Sequence, residues 1–240
     1  MSKVRTPETA PSALSDHVKL LSLASHEFRT PASVVGGYLR MLQKDSAGMD
    51  ERHRKMIDEA VKSCARLVEL IGELSDVGKL DSDAAPATAE TFDLFGDLDT
   101  VAANVLDGRD REVHLRLAGT TSGARLIGDR PRLLAAFGAF FRALVREQGT
   151  AVTMVGDRRL VTGDDGTAAV VIIAREADIQ RAWDAVAQPF DEYRGGVGLS
   201  LPIARRVVER AGGRIWSPTP ADEGDRALRS AMVVSLPLPE

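Results

Sequence analysis

Two long heptad patterns dominate the first third of this chain. Leu14, Val18, Leu21, Ser25, Phe28, Ala32, Val35, Leu39 and Leu42 recur at steps that alternate between four and three. That is the spacing of a helix packed lengthwise on another helix. Met56, Ala60, Ser63, Leu67, Leu70, Leu74 and Val77 repeat the rhythm, with a parallel stripe of Ile57, Val61, Cys64, Val68 and Ile71 beside them. The patterns predict one helix over 14–44 and a second over 50–80, joined by a turn at Asp45-Ser46-Ala47-Gly48. The apolar face of the second helix is wider than one neighbour can cover. Two hairpins pairing into a four-helix bundle would close the core, so the pattern itself argues for a homodimer.

Residues 1–13, with Pro7, Pro11 and little apolar content, read as a disordered lead, and 81–89 as a linker. From 90 to 240 the composition changes to alternating strands and helices. Strands are expected at Glu90–Leu94, Val113–Leu117, Arg125–Gly128, Ala151–Asp157, Ala168–Ala174, Arg214–Ser217 and Ala231–Leu236. Helices are expected at Leu98–Leu106, at Asp129–Glu147 with Asp129 as cap and Pro131 in the first turn, and at Leu199–Ala211. The fold class is therefore α+β: a dimerising two-helix hairpin, then a mixed sheet with helices on one face. Gly163-Asp164-Asp165-Gly166 reads as a turn between two strands, and no metal is assigned to it.

Composition removes several classes of function. Net charge is −4, from 31 basic and 35 acidic residues evenly mixed. No basic stripe points to nucleic acid and no polybasic segment to a membrane surface. Aromatic residues are only 5% of the chain, so the cores are largely aliphatic. Cys64 stands alone, within the second helix, as a small core residue. No apolar run is long enough to span a bilayer and no signal peptide is present, so the cytoplasm is the expected compartment.

The first helix carries Ser25-His26-Glu27-Phe28-Arg29-Thr30-Pro31. His26 and Glu27 fall just off the seam, which turns the imidazole outward or along the bundle flank. A neutral imidazole is a good nucleophile near pH 7, because its ordinary pKa lies close by. A neighbouring carboxylate, here Glu27, can hold the tautomer and take up a proton as a bond forms on the ring. Pro31 removes a backbone donor inside the helix and is expected to kink it. Gly36 and Gly37 lower helix propensity by roughly 1 kcal/mol each against Ala. A close partner or local flexibility would each account for them.

This stretch resembles, over seven consecutive positions, the H-box of sensor histidine kinases, which opens their dimerisation and phosphotransfer helix. The resemblance implies that His26 is the phosphoacceptor and that Thr30, one turn on, positions a water against a phosphorylated partner. It also implies that receiver domains of response regulators dock after the box, around Ser33, Val34 and Gly37, with facing positions on the second helix. Only about two dozen residues precede the box, so input is expected from another protein or from this short lead.

Residues 90–240 resemble the ATP-binding domain of the same family, the GHKL fold. The likeness is carried by Asp129-Arg130-Pro131-Arg132-Leu133 and by Gly195-Gly196-Val197-Gly198-Leu199-Ser200-Leu201, followed by Gly212-Gly213-Arg214-Ile215-Trp216. Glycines in such a box let backbone amides approach phosphates, which makes Gly195, Gly196 and Gly198 a vestigial nucleotide contact. Ser200 replaces a usual glycine. The family's two metal-side asparagines correspond to Ala139 and Ala143, whose methyl groups cannot coordinate Mg²⁺. The strand that should lead into an Asp-x-Gly-x-Gly motif leads instead into Ala174-Arg175-Glu176-Ala177-Asp178-Ile179. Asp178 is out of register for the adenine contact. Only Asp191-Glu192-Tyr193-Arg194 separates Phe190 from Gly195, short for a lid over ATP.

An intact phosphoacceptor box beside a ruined ATP site selects a histidine phosphotransferase that exchanges phosphate with receiver aspartates and holds no cofactor. An upstream hybrid kinase is a further expected partner. The alternatives are an active ATP-dependent kinase with an atypical site and a non-enzymatic pseudokinase scaffold. Phosphatase activity toward a receiver, through Glu27 and Thr30, is compatible with the first.

Overall fold

The computed structural model describes residues 13–81, 89–164, 166–220, 228 and 230–239, with the backbone alone for 13–17. The expected lead, most of the linker and Asp165 of the Gly163–Gly166 turn lie outside the described residues. The chain divides into two compact units between residues 85 and 86, and each is taken by itself.

The first unit is a helical hairpin. Helix α1 spans Ala13–Lys44 and α2 spans Glu51–Asp81, joined by a 3₁₀ turn at Ser46–Gly48. Asp50 caps α2: its carboxylate accepts from the His53 backbone N–H at 2.9 Å and contacts His53 Nδ1 at 2.6 Å. The backbone hydrogen bond from His53 holds the Asp50 carboxyl below its ordinary value of 3.8. Helix α1 continues through Pro31.

Small side chains set the contact between α1 and α2. Ser25, Ala32, Cys64 and Ile71 are buried, and so are Gly36 and Gly78. Cys64 Sγ donates to the Ala32 carbonyl at 3.3 Å. A Cβ at Gly36 would stand 3.1 Å from that sulfur, whereas one at Gly37 would meet nothing within 4 Å. Close packing on Cys64 accounts for Gly36 but not for Gly37. Gly37→Ala is accordingly expected to raise hairpin stability by about 0.5–1 kcal/mol through helix propensity. Gly36→Ala should gain less or lose, because the new methyl crowds the sulfur. Urea unfolding of the two variants side by side checks the contrast, and equal gains would show that the Gly36–Cys64 contact yields freely.

The other half of each seam is bare. Phe28, Val35, Leu42, Met56 and Leu67 are 46–60% exposed. Several of them line an apolar groove of about 740 Å³, together with Pro31, Leu39 and Ile71.

The second unit is an α/β domain. Its elements are β1 (Glu90–Asp93), α3 (Leu94–Ala103), β2 (Val113–Gly119), β3 (Arg125–Gly128), α4 (Arg130–Arg146), β4 (Val152–Gly163) and β5 (Gly166–Arg175), then α5 (Ile179–Trp183), β6 (Val186–Gln188), α6 (Ser200–Arg210), β7 (Arg214–Thr219) and β8 (Met232–Pro237). The main sheet has the order β2-β4-β5-β8-β7-β6, and β1 pairs with β3 in a separate two-stranded sheet. Among the described strands, only the β2–β4 pairing is parallel.

Helix α4 anchors the core. Asp129 accepts from the Arg132 N–H at its start, and Phe137, Phe140 and Phe141 are fully buried along it. Gly156, paired with Ile173, lies under this helix: a Cβ there would come within 2.5 Å of Leu117 and 3.3 Å of Phe141. Helix α3 begins four residues earlier than expected. Asp93 accepts from the Phe95 N–H at 3.1 Å and the Gly123 N–H at 2.6 Å, which starts the helix at Leu94. Arg130 then grips Asp97 through two hydrogen bonds of 2.7 and 2.8 Å and holds its carboxyl below 3.8.

The expectation of helices on one face is corrected. Val170, Ile172, Ala174 and Val233 form a second core on the face away from Phe141, packed against Ala182, Leu228 and Trp183. The short α5, absent from the sequence reading, covers that face. Asp157 accepts from the Trp183 indole N–H at 3.0 Å, and Arg159 stacks 4.2 Å from the ring centroid, which pins α5 in place.

Candidate functional site

The hairpin presents His26 on its outer surface, 81% exposed, with Glu27 beside it at 70%. The exposure follows from the seam. Ser25, one residue away, turns inward and donates its hydroxyl to the Leu21 carbonyl at 2.8 Å, so the next position along the helix faces outward. His26 Nδ1 lies 3.6 Å from Glu27 Oε1, too long for a hydrogen bond. The tautomer-holding role proposed for Glu27 therefore needs a small rotation of either side chain. Thr30 is exposed one turn along. Pro31 has no N–H to offer the Glu27 carbonyl.

Ser33 and Val34 are exposed and Gly37 is half-buried. Ser33 borders a small cleft of about 270 Å³ with Gly36, Arg40 and Val68. Arg40 and Val68 were not singled out from the sequence as part of this surface. Only the distance along the two helices, about 28 residues between Arg40 and Val68 read as antiparallel turns of 3.6 residues, could have pointed to them.

In the α/β domain the two alanines at the family's metal side are deep in α4: Ala139 is 3% exposed and Ala143 fully buried. The glycine-rich segment lies against Ala143. Gly195 has φ +69°, and a Cβ on it would fall 2.6 Å from both Cα and the carbonyl oxygen of Ala143. Arg194 ties the same segment down. It donates to both oxygens of Glu147 at 2.7 Å and to the Ala231 carbonyl at 2.9 Å. The side chains of this pair are only 10% and 20% exposed. Phe190 packs edge-on against Phe140 at 6.2 Å, so both ends of the short segment after β6 are fastened to α4. Gly196 and Gly198 also take positive φ, but the turn they make lies against a helix that offers methyl groups instead of metal ligands.

Asp178 is paired within its own turn to Arg181 at 3.4 Å. The end of β5 instead brings Arg175 to the cleft. Its Nε donates to Gln148 Oε1 at 3.0 Å, and Gln148, 2% exposed, is itself fixed to the Leu144 carbonyl at 2.9 Å. A cation thus stands at the mouth of what remains, a polar pocket of about 400 Å³. The sequence reading had marked Arg175 only as a break in the motif.

An exposed histidine on a two-helix hairpin, followed by an α/β domain of this topology, defines a histidine-kinase core. Residues 17–83 belong to the His Kinase A (phospho-acceptor) domain family, and the chain as a whole has the two-part core of a sensor histidine kinase. Among curated relatives it is 24% identical over 224 residues to the phytochrome-like protein Cph1 of Synechocystis, covering 88% of this chain and 28% of that protein. It is 27% identical over 239 residues to the sensor protein GacS of Pseudomonas syringae, covering 92% of this chain and 25% of that protein. The chain thus spans about a quarter of the length of these relatives. Its fold resembles that of full-length ShkA solved with AMPPNP, with a TM-score of 0.64 at 21% identity over 91% of this chain and 45% of that one. It also resembles the histidine kinase ThkA solved in complex with the response regulator TrrA, with a TM-score of 0.56 at 17% identity over 95% of this chain and 64% of that one. Among the described residues, no helix is long and apolar enough to cross a membrane.

Proposed function

We propose that this chain is a histidine phosphotransferase, which carries a phosphoryl group on His26 and exchanges it with the aspartate of receiver domains. The observation that supports the reading is the pairing of an exposed His26 in a complete acceptor box with a nucleotide cleft closed by its own backbone at Gly195 and Ala143. In the forward step a ring nitrogen of neutral His26 attacks the phosphorus of an aspartyl phosphate. The N–P bond forms, the P–O bond to the aspartate breaks, and the carboxylate leaves with the electron pair. The ring keeps its other proton, and Glu27 stabilises the positive charge that develops. No group of the α/β domain is needed for this step. The groove lined by Phe28, Val35 and Leu67 is the surface on which a second hairpin packs, making a homodimer. Ser33, Val34 and Gly37 form part of the receiver's footprint. Exchange with receivers places the protein in the cytoplasm.

The test offers the purified chain two phosphate sources. Label from a phosphorylated receiver should appear on the chain in acid-labile form, and label from γ-labelled Mg-ATP should not. Autophosphorylation from ATP would replace this reading with that of an active kinase. Label from neither source, with any of several receivers, would leave the scaffold reading.

A further inference from the structure

The polar pocket at the mouth of the closed cleft is not explained by a lost ATP site. Its wall is the Arg194–Glu147 pair, whose charges are spent on each other. What remains unspent is specific. Arg175 is held by its Nε on the buried Gln148, and its two terminal nitrogens have no partner among the described residues. Asp191 accepts from the Tyr193 N–H with Oδ1, which leaves Oδ2 open. Ser217 is 2% exposed and its hydroxyl has no hydrogen-bond partner among the described residues. All three line one cavity of about 400 Å³, beside Ser230, a size that accommodates a purine base with room to spare.

These groups ask for a particular ligand. A guanidinium fork takes two acceptors side by side, and a carboxylate oxygen takes donors. A simple anion would satisfy Arg175 but face Asp191, and a simple cation would do the reverse. Guanine carries both kinds of edge: O6 and N7 accept from an arginine fork, and N1–H and the N2 amino group donate to a carboxylate. Adenine presents an amino donor where guanine has O6, so it would set donor against donor at Arg175. We infer that this pocket binds a guanine base, with Arg175 on its O6/N7 edge and Asp191 on its N1/N2 edge. The inference rests on the reading that the Mg-ATP cleft is closed. Arg175 is spent on the base, so phosphates add little, and guanosine and GMP bind alike.

The test is calorimetry on the full chain with guanosine, GMP, adenosine and Mg-ATP. Guanosine and GMP should bind with similar affinity and with about 10- to 100-fold preference over adenosine, the range for a bidentate arginine contact. Arg175→Lys keeps the charge and loses the fork, and should weaken guanosine about tenfold or more. Asp191→Asn keeps the Oδ1 acceptor for Tyr193 and should weaken it by a similar factor; its position at the surface makes it the deciding variant if Arg175→Lys unfolds. No guanosine binding at millimolar concentration, equal binding of adenosine, or no effect of a folded variant would overturn the inference. Binding of Mg-ATP alone would instead overturn the closed cleft, so the two failures are told apart.

Discussion

Replacing His26 by alanine is expected to remove all transferable phosphate from the chain while leaving its fold intact. The imidazole is 81% exposed, and surface substitutions away from caps and cores usually change stability by less than about 0.5 kcal/mol. The chemistry has no substitute in the box: Ser25 points inward to the Leu21 carbonyl, and Thr30 is a poor nucleophile without an adjacent base. Label transferred from a phosphorylated receiver should fall to background in His26→Ala, with an unchanged melting temperature. Glu27→Gln should retain transfer at a rate lowered by no more than about tenfold, because the carboxylate takes no proton in the step and its contact with the imidazole, at 3.6 Å between two exposed side chains, is loose. Full transfer in His26→Ala would place the acceptor elsewhere and end the phosphotransferase reading.

Asparagine at position 143 is expected to destabilise the α/β domain by about 3 kcal/mol and to leave Mg-ATP unbound. By sequence alone, restoring this residue looks like a repair. In the fold Ala143 is fully buried, and Gly195 lies so close that a single added carbon on it would stand 2.7 Å from the Ala143 methyl. The larger side chain must push the segment held by Arg194 away, an overpacking cost of about 1–3 kcal/mol. Its amide must also find hydrogen-bond partners in this fully buried position, or bear a further cost of about 1–3 kcal/mol. Chemical denaturation and calorimetry on Ala143→Asn read both halves of the expectation. A variant as stable as the parent that binds Mg-ATP would mean that the closure is soft and that only metal ligands were lost.

The helical hairpin was legible because it is a periodic object. Each seam position announces its face through the spacing of its neighbours, and Gly36 next to Cys64 changes nothing in that rhythm. Strands β2 to β5 and β8 were legible for a similar reason, as short β-branched runs between turn residues. Two failures share a physical cause. Helix α3 starts at Leu94 because Asp93 caps it and also takes the Gly123 N–H, a contact 30 residues away that no local pattern encodes. Helix α5 has five residues, too few for a period, and holds its place through Trp183 on Asp157 and packing on β5.

The candidate site divides along the same line. His26 and the alanines at 139 and 143 could be found by position within motifs. The seating of the glycine-rich segment on α4 could not, because it depends on a glycine backbone meeting an alanine 52 residues earlier and on an arginine finding a carboxylate 47 residues earlier. Arg175 was read as the absence of a motif, and only its geometry beside Gln148 shows it as a group with free donors.

The place of β8 has a consequence for biosynthesis. This strand lies inside the main sheet, between β5 and β7, and carries Met232, Val233, Val234 and Leu236 into the core. While residues up to about 230 emerge from the ribosome, β5 and β7 have no strand to join them and both present unpaired edges. The hairpin, built from near neighbours, can form as soon as it is released, but the α/β domain must wait for nearly its whole length before it closes. During that interval its core stays open, and a chain truncated shortly before residue 232 would carry a hairpin able to fold beside an open, adhesive second domain.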